Sequence, residues 1–316
     1  MKRGVIVNPK SGRSGKGLAL ARMLKGHPQI MLRVLEDFTS LPPVLDEMSA
    51  ADVDELFISS GDGTVHAVQT DLAERRPFAV LPQLALLPHG TTNMTAADLG
   101  LHLGSIPAQA RFIASKPAAS RRSRITLRVV NPKDGKVRHG MFLGTGAVAT
   151  ATRFCQDAVH RAGLTGDWAS FATLATAVSR ALLTRANPSD ETRIDRPYPI
   201  GVTVGNVVVA QAPQLLLLAT TLDKLILGTR PFWGVKREPI RLSLLPYPVP
   251  SISRWLLPLM YGGEHRSVPK GALSWSADRF TVTTSAGFVL DGEFFDPPQG
   301  KPLQIETGPS FTYICG

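Results

Sequence analysis

Residues 56–64, Leu56-Phe57-Ile58-Ser59-Ser60-Gly61-Asp62-Gly63-Thr64, run from an apolar stretch into a turn where two glycines bracket one carboxylate, and a helical pattern follows from Val65 to Leu72. A short apolar run that ends in a glycine turn and leads into a helix reads as one strand–loop–helix unit. The same unit recurs on both sides. Gly4 to Val7, Ile30 to Leu35 and Leu84 to Leu87 are further apolar runs, each followed by a turn-rich stretch. The repetition predicts an α/β fold that opens with a Rossmann-like parallel-sheet domain.

After Ser120 the texture changes to hairpin-like material. Arg124 to Val130 leads into Asn131-Pro132-Lys133-Asp134-Gly135, and Gly201 to Val204 and Val207 to Ala210 flank Gly205-Asn206. A β-rich, antiparallel, sandwich-like second domain is expected. Two helices, Ala151 to Ala162 and Trp168 to Ala186, should interrupt it. The composition shift near Lys116 to Ser123 places the domains at 1–122 and 123–316, with the C-terminal segment a candidate to return to the first.

Ligands of open α/β sheets bind at the carboxyl ends of the strands, so three loops after strands should converge. The first is Asn8-Pro9-Lys10-Ser11-Gly12-Arg13-Ser14-Gly15-Lys16-Gly17. Its glycines permit close backbone approach to phosphate, the helix start offers N–H groups, and Lys10, Arg13 and Lys16 add positive charge. It is not a Walker A loop, since Gly17 stands where Ser or Thr would hold the metal. In the second loop, Asp62 suits a metal ion or an acceptor hydroxyl, and Thr64 is placed to cap the helix. The third, Pro88-His89-Gly90-Thr91-Thr92-Asn93, supplies neutral donors and acceptors. His89 has no second histidine at ligand spacing and reads as a packing or hydrogen-bonding residue.

Bulk features remove several function classes. There are 35 basic and 25 acidic residues, a net charge of +10, which suits nucleic acid, an anionic membrane surface or an anionic substrate. The densest cluster, Arg121, Arg122, Arg124 and Arg128, lacks the interleaved aromatics of a single-strand binder, so no nucleic-acid partner is expected. Cys155 and Cys315 form no CxxC pair, which points to a reduced compartment and no zinc. No apolar run has the length of a signal peptide or of a membrane span. A cytoplasmic protein is therefore expected.

In order and spacing, Asn8-Pro9-x-Ser11-Gly12, Gly61-Asp62-Gly63-Thr64 and Pro88-x-Gly90-Thr91-x-Asn93 resemble the diacylglycerol kinase catalytic family, which includes bacterial lipid kinases. Sphingosine and ceramide kinases share these motifs, and NAD kinases share the middle one. The resemblance extends to Asp291-Gly292-Glu293, which the residues alone read first as a tight hairpin turn. It implies ATP and Mg2+ as cofactors and a membrane lipid as substrate, with transient contact at the inner face of the cell membrane. It implies that Asn8, Pro9, Lys10, Ser11, Gly12, Thr39, Gly61, Asp62, Gly63, Thr64, Val65, His66, Ala67, Gly90, Thr91 and Asn93 line the nucleotide. Asp62 and Asn93 would order phosphates and metal. Glu293 would take the acceptor's proton, and Asp291 would support it or help hold magnesium.

The chain departs from the family pattern at Ser60, often glycine, and at Met94, often aspartate. After Gln211-Ala212-Pro213 it lacks the Asp-Asp-Gly that holds a structural magnesium in many bacterial members, so that ion is not expected. Trp168, Phe171, Phe232 and Trp233 are candidates for an acyl-chain wall or for plain core. Trp255 and Tyr261, in the amphipathic stretch from Ile252, are candidates for the membrane interface. The rival readings are a kinase of a sphingoid base or NAD, and a catalytically silent lipid- or nucleotide-binding regulator; a homodimer is left open.

Overall fold

A computed structural model of the chain describes residues 2–12, 15–90, 93–115, 119–162, 190, 193–211, 213–225, 228–249 and 260–316, leaving aside the side chains of 157–162. The expected helix Trp168 to Ala186 with Phe171, and also Arg13, Thr91, Thr92, Ala212 and Trp255, lie outside the described residues. The chain divides into two compact units, one of residues 1–125 and 309–316, the other of residues 126–308.

In the first unit the elements run β1 (Lys2–Val7), α1 (Lys16–Leu24), β2 (Ile30–Val34), α2 (Leu41–Ala50), β3 (Val53–Ser60), α3 (Asp62–Glu74), β4 (Gln83–Pro88), α4 (Met94–Leu99), α5 (Ile106–Ser115) and the start of β5 (Ser120–Val129). The strands are parallel in the order β2-β1-β3-β4, and the end of the last strand of the chain adds beside β4 through Tyr313 and Leu84. Nearly every residue of β1, β3 and β4 is buried, as in a parallel sheet covered on both faces. Alternation sends Val5, Val7, Phe57, Ala85 and Leu87 to one face, where α1 and α5 cover them with Leu20, Leu24, Ala110 and Ile113. On the other face α2 comes close: a Cβ on Gly4 would stand 2.9 Å from the Met48 sulfur. A buried ion pair, Arg3 Nε to Glu55 Oε2 at 3.0 Å, joins β1 to β3.

The sheet order reverses between β1 and β3, because β2 lies to one side of β1 and β3 to the other. Loops that follow strands on the two sides of such a point diverge and leave a crevice. The loops after β1 and β3 flank it.

The second unit continues through β6 (Arg138–Gly140), β7 (Phe142–Gly146), α6 (Ala147–Ala162), β8 (Gly201–Val204), β9 (Val207–Ala210), β10 (Gln214–Thr220), β11 (Arg230–Trp233), β12 (Ile240–Pro246), β13 (Tyr261–Gly263), β14 (Leu273–Ala277), β15 (Arg279–Thr283), β16 (Phe288–Leu290), β17 (Glu293–Phe295) and β18 (Leu303–Cys315). An antiparallel sheet of order β14-β12-β10-β7-β16-β17 sets Leu143, Leu217, Leu242 and Phe288 into one core with Leu127, Val202, Phe280 and Ile305 from β5, β8, β15 and β18. The sandwich-like character of this region and the parallel sheet of the first unit agree with the fold read from the sequence. Phe232 and Trp233 are buried, and Arg241 lies over the Phe232 ring with its guanidinium carbon 5.2 Å from the centroid. Tyr261 is exposed.

Candidate functional site

The three glycine-bearing loops of the first unit are tied to one another by specific bonds. Asn8 leaves β1 and donates its Nδ2 to Thr64 Oγ1 at 2.9 Å, while its Oδ1 accepts the Lys10 N–H at 3.0 Å. Ser11 Oγ accepts the Gly61 N–H at 2.6 Å. Thr64 therefore does not cap its helix. α3 begins at Asp62 with Gly61 as its cap residue, so Thr64 already lies inside the first turn and its hydroxyl serves Asn8.

Two glycines are required by close approach. Gly12 has φ +64°, and a Cβ there would meet the His89 carbonyl oxygen at 2.5 Å. A Cβ on Gly90 would stand 2.3 Å from Gly61 Cα. The first loop thus abuts the third, and the third abuts the second. Asn93 closes the third loop on itself, its Oδ1 accepting from Gly90 N at 2.9 Å and its Nδ2 donating to Gly90 O at 3.0 Å.

Asp62 joins the second loop to α4. Its Oδ2 accepts the Met94 N–H at 2.9 Å and its Oδ1 the Thr95 N–H at 3.0 Å, so the carboxylate receives the open N-terminus of that helix. Burial nevertheless dominates and pushes its pKa up to about 6, opposed by the two N–H bonds and the Thr95 hydroxyl. A carboxylate offers about four acceptor positions, so Asp62 retains capacity for a further ligand. Magnesium is usually held by one or two carboxylates together with substrate phosphates, and Asp62 fits that donor set. Among the described residues no group of three or more His, Cys, Asp or Glu gathers as a metal centre.

His89 lies under the loops. Its Nδ1 shares a hydrogen bond with Ser59 Oγ at 2.7 Å, and its N–H donates to Ser60 O at 3.2 Å. Burial lowers its pKa to about 4, partly offset by Gln109, with Lys16 lowering it further. It is a neutral structural imidazole at ordinary pH. Val65 and His66 are buried on α3, whereas Ala67, Gly61, Gly63, Pro9 and Ser11 are half-buried and Lys10 is exposed. The first turns of α1 and α3 carry no side-chain cap. These helix starts, with Lys10 and Lys16, make an anion-favouring surface.

Thr39 follows β2 on a single 3-10 turn, Phe38–Ser40, and donates its hydroxyl to Asp37 Oδ1 at 2.6 Å. The Asp37 carboxyl is held below its ordinary value first by that hydroxyl, then by backbone N–H groups, and also by the charge of Lys10. Asp37 was not among the residues singled out from the sequence. The Asp-x-Thr-Ser pattern of an N-cap is the signal that marks it.

In the second unit, Asp291-Gly292 is a two-residue turn joining β16 to β17, with φ 48° at Asp291 and 87° at Gly292 and Leu290 paired to Glu293. Positive φ at both central residues is the hairpin geometry that Asp-Gly favours. Asp291 is buried. Its Oδ1 accepts from Phe142 N at 2.9 Å and from Met141 N at 3.1 Å, and its Oδ2 lies 2.9 Å from Met141 N. A Cβ on Gly140 would stand 2.6 Å from that same oxygen. Both oxygens of this carboxylate are thus engaged by backbone N–H groups. Gln156 of α6 donates to Gly292 O at 2.7 Å, and Arg153 lies over the Phe294 ring with its guanidinium carbon 5.0 Å from the centroid. Glu293 is exposed at the start of β17. Met141, Phe142 and Gln156, which hold this turn, carry no local sequence signal because they act from 136 to 150 residues away.

Residues 2–121 match the family model of the diacylglycerol kinase catalytic domain. The resemblance carried by the three loops is thus shown over this segment, and a kinase domain of this family implies ATP as phosphoryl donor. No curated protein matches the chain. Among solved structures the chain is similar to a candidate diacylglycerol kinase from Bacillus anthracis strain Sterne, with 19% identity and TM-score 0.67, covering 99% of this chain and 96% of that one. A diacylglycerol kinase from the same strain is 17% identical, with TM-score 0.65 and the same coverage. A third, also a candidate diacylglycerol kinase of that strain, is 18% identical, with TM-score 0.65, covering 100% of this chain and 97% of that one. At these identities the likeness establishes the fold, here along the full chain.

Proposed function

We propose that this chain is an ATP-dependent lipid kinase that phosphorylates a hydroxyl of diacylglycerol or a related membrane lipid. The observation that carries the reading is the cross-tied loop cluster at the carboxyl ends of β1, β3 and β4, within a segment that matches a kinase family. Phosphoryl transfer asks a protein mainly for positioning and charge neutralisation. The cluster offers backbone N–H groups, the second amide hydrogen of Asn93, the hydroxyl of Ser11 and the cations Lys10 and Lys16, and Thr39 stands on the neighbouring turn after β2. In this reading Asp62 is the carboxylate that would hold magnesium, which when bound neutralises charge on the transferred phosphoryl group. Asn8 and Gly90 position the loops, and Val65 and His66 act through packing.

Glu293 is assigned the proton of the acceptor hydroxyl. Its support is local: it is the exposed acid of a fixed turn, while Asp291 beside it holds that turn through Met141 and Phe142. In this reading Asp291 acts by positioning the turn, and Asp62 is the carboxylate beside the phosphate loops. A lipid acceptor, a cytoplasmic location and peripheral contact with the membrane belong to the same proposal. The excess of 35 basic over 25 acidic residues suits an anionic membrane surface, and among the described residues no helix is long and apolar enough to cross a membrane.

The test is transfer of labelled γ-phosphate from ATP by the purified chain to a panel of diacylglycerol, a sphingoid base and NAD. Label in diacylglycerol is expected. Label in NAD alone would sink the lipid reading, and ATP binding without transfer to any acceptor would leave a nucleotide-binding regulator in its place.

A further inference from the structure

Phe38 is 52% exposed, more than Tyr261 at 42% or Trp275 at 41%, the other large aromatic side chains exposed among the described residues. Large apolar groups are ordinarily buried, and single exposed ones are common enough to carry nothing by themselves. Position separates Phe38 from that background. Its turn is rigid: Asp37 Oδ1 accepts the Thr39 N–H at 2.8 Å and the Ser40 N–H at 3.2 Å as well as the Thr39 hydroxyl, and two prolines follow in the first turn of α2. The ring is thus held out by the fold.

The register of the sheet fixes where. Val7 pairs with Val34, and the Leu35 N–H donates to Val7 O at 2.8 Å, so the chain leaves β2 level with the point where it leaves β1. Residues 36–39 and 8–12 therefore emerge side by side. Strands lie about 4.8 Å apart, and the order across the sheet is β2, β1, β3, β4. A nucleotide with its phosphates over the loops of β1, β3 and β4 has room to direct its base along the sheet toward the β2 end. At the β2 end it meets an aromatic face.

We propose that Phe38 is the platform on which the base of the bound nucleotide stacks. The inference rests on the nucleotide-binding part of the proposed function and adds to it the residue that recognises the base. Because every base has a π-face, such a platform favours nucleotides over bare polyphosphates while tolerating the identity of the base.

The test compares binding of ATP and of inorganic tripolyphosphate to the full chain by titration calorimetry, for wild type, Phe38→Ala and Phe38→Trp. Phe38→Ala is expected to weaken ATP by about 10-fold or more and to leave tripolyphosphate unchanged. Phe38→Trp is expected to keep ATP affinity, with indole fluorescence quenched on binding. ATP affinity within twofold of wild type in Phe38→Ala overturns the proposal alone. Equal weakening of both ligands overturns it also, since that pattern belongs to a displaced phosphate loop. Wild-type protein that binds neither ligand would refute the nucleotide reading itself, and the platform with it.

Discussion

Substituting Gly90 by alanine places one methyl group where the second and third loops touch. The added Cβ would stand 2.3 Å from Gly61 Cα, 2.9 Å from Gly61 N and 3.0 Å from Asn93 Oδ1, whereas real Cβ contacts essentially never fall under 3.0 Å. The obstructing atoms at Gly61 are backbone, so no rotamer relieves the clash, and the loops must separate by at least about 0.7 Å, the shortfall between 2.3 and 3.0 Å. Each is tied down, Gly61 by Ser11 at 2.6 Å and Gly90 by Asn93 at 2.9 Å. Overpacking of this kind costs about 1–3 kcal/mol, or roughly 4–8 °C in Tm for about 2 kcal/mol. Displacing a substrate-positioning element by about 1 Å can cost about 100-fold in rate, so kcat/KM for ATP should fall by tens of fold or more. Gly201→Ala is the control, because its Cβ would meet nothing closer than 3.6 Å. Thermal denaturation and ATP titration of both variants read the two effects. If Gly90→Ala matches wild type in Tm and in ATP affinity, the loops are not packed against each other as argued.

Glu293→Gln should lower turnover by about 10²–10⁴-fold, the usual worth of a general base, with Tm and ATP affinity unchanged; turnover within threefold of wild type removes Glu293 from that role. Metal-free protein should show opposed pH effects. Asp62, raised from 3.8 to about 6 by burial, adds stability below about 4 that is lost as pH rises through about 6. His89, lowered from 6.5 to about 4 by burial, adds stability above about 6.5 that is lost as pH falls through about 4. The two offset each other between these limits, so His89→Gln should uncover the Asp62 contribution and become less stable as pH rises from 4 to 6; a flat denaturation profile over that range counts against the assignment. Arg241 donates to Leu222 O and to Asp223 Oδ1 and covers Phe232, fastening the connection after β10. Chelation should therefore leave Tm unchanged while Arg241→Met lowers it by several degrees, and a chelator-induced drop in Tm without nucleotide would point to a structural metal instead.

The fold was legible where the chain is apolar without interruption. Ile30 to Leu35, Leu56 to Ser59 and Leu84 to Leu87 lie within one residue of the strands at most of their ends, because a strand buried on both faces needs an unbroken apolar run. The start of β3 was missed by three residues, since Val53-Asp54-Glu55 carries two acids; Glu55 is tolerated because Arg3, 52 residues earlier, pairs with it, with Arg121 on its other oxygen at 3.9 Å. β18 was equally hidden. Gly308-Pro309 reads as a break, yet the strand runs through it, and the glycine is there because a Cβ would meet Thr126 Oγ1 at 2.3 Å. Of the candidate site, the loops could be located but not their ties. That Thr64 serves Asn8, or that Asp62 caps a helix 32 residues on, depends on which strands are neighbours. Local spacing does not contain that information.

Asp291-Gly292-Glu293 shows why a turn signal and a chemical signal need not compete. A two-residue hairpin with positive φ at both central positions directs the side chains of its first turn residue and of the residue after the turn differently. Asp291 points into the fold, where the N–H groups of Met141 and Phe142 satisfy its carboxylate. Those bonds fix the turn, and Gln156 fixes it again from α6 through Gly292 O. Glu293 is left as the exposed acid on a rigid support. A general base needs defined placement and a carboxylate that no structural bond consumes, and one acid cannot meet both demands. Two acids on one tight turn can, so the preference of Asp-Gly for the turn is the physical reason that the backbone carrying the next acid is held in place.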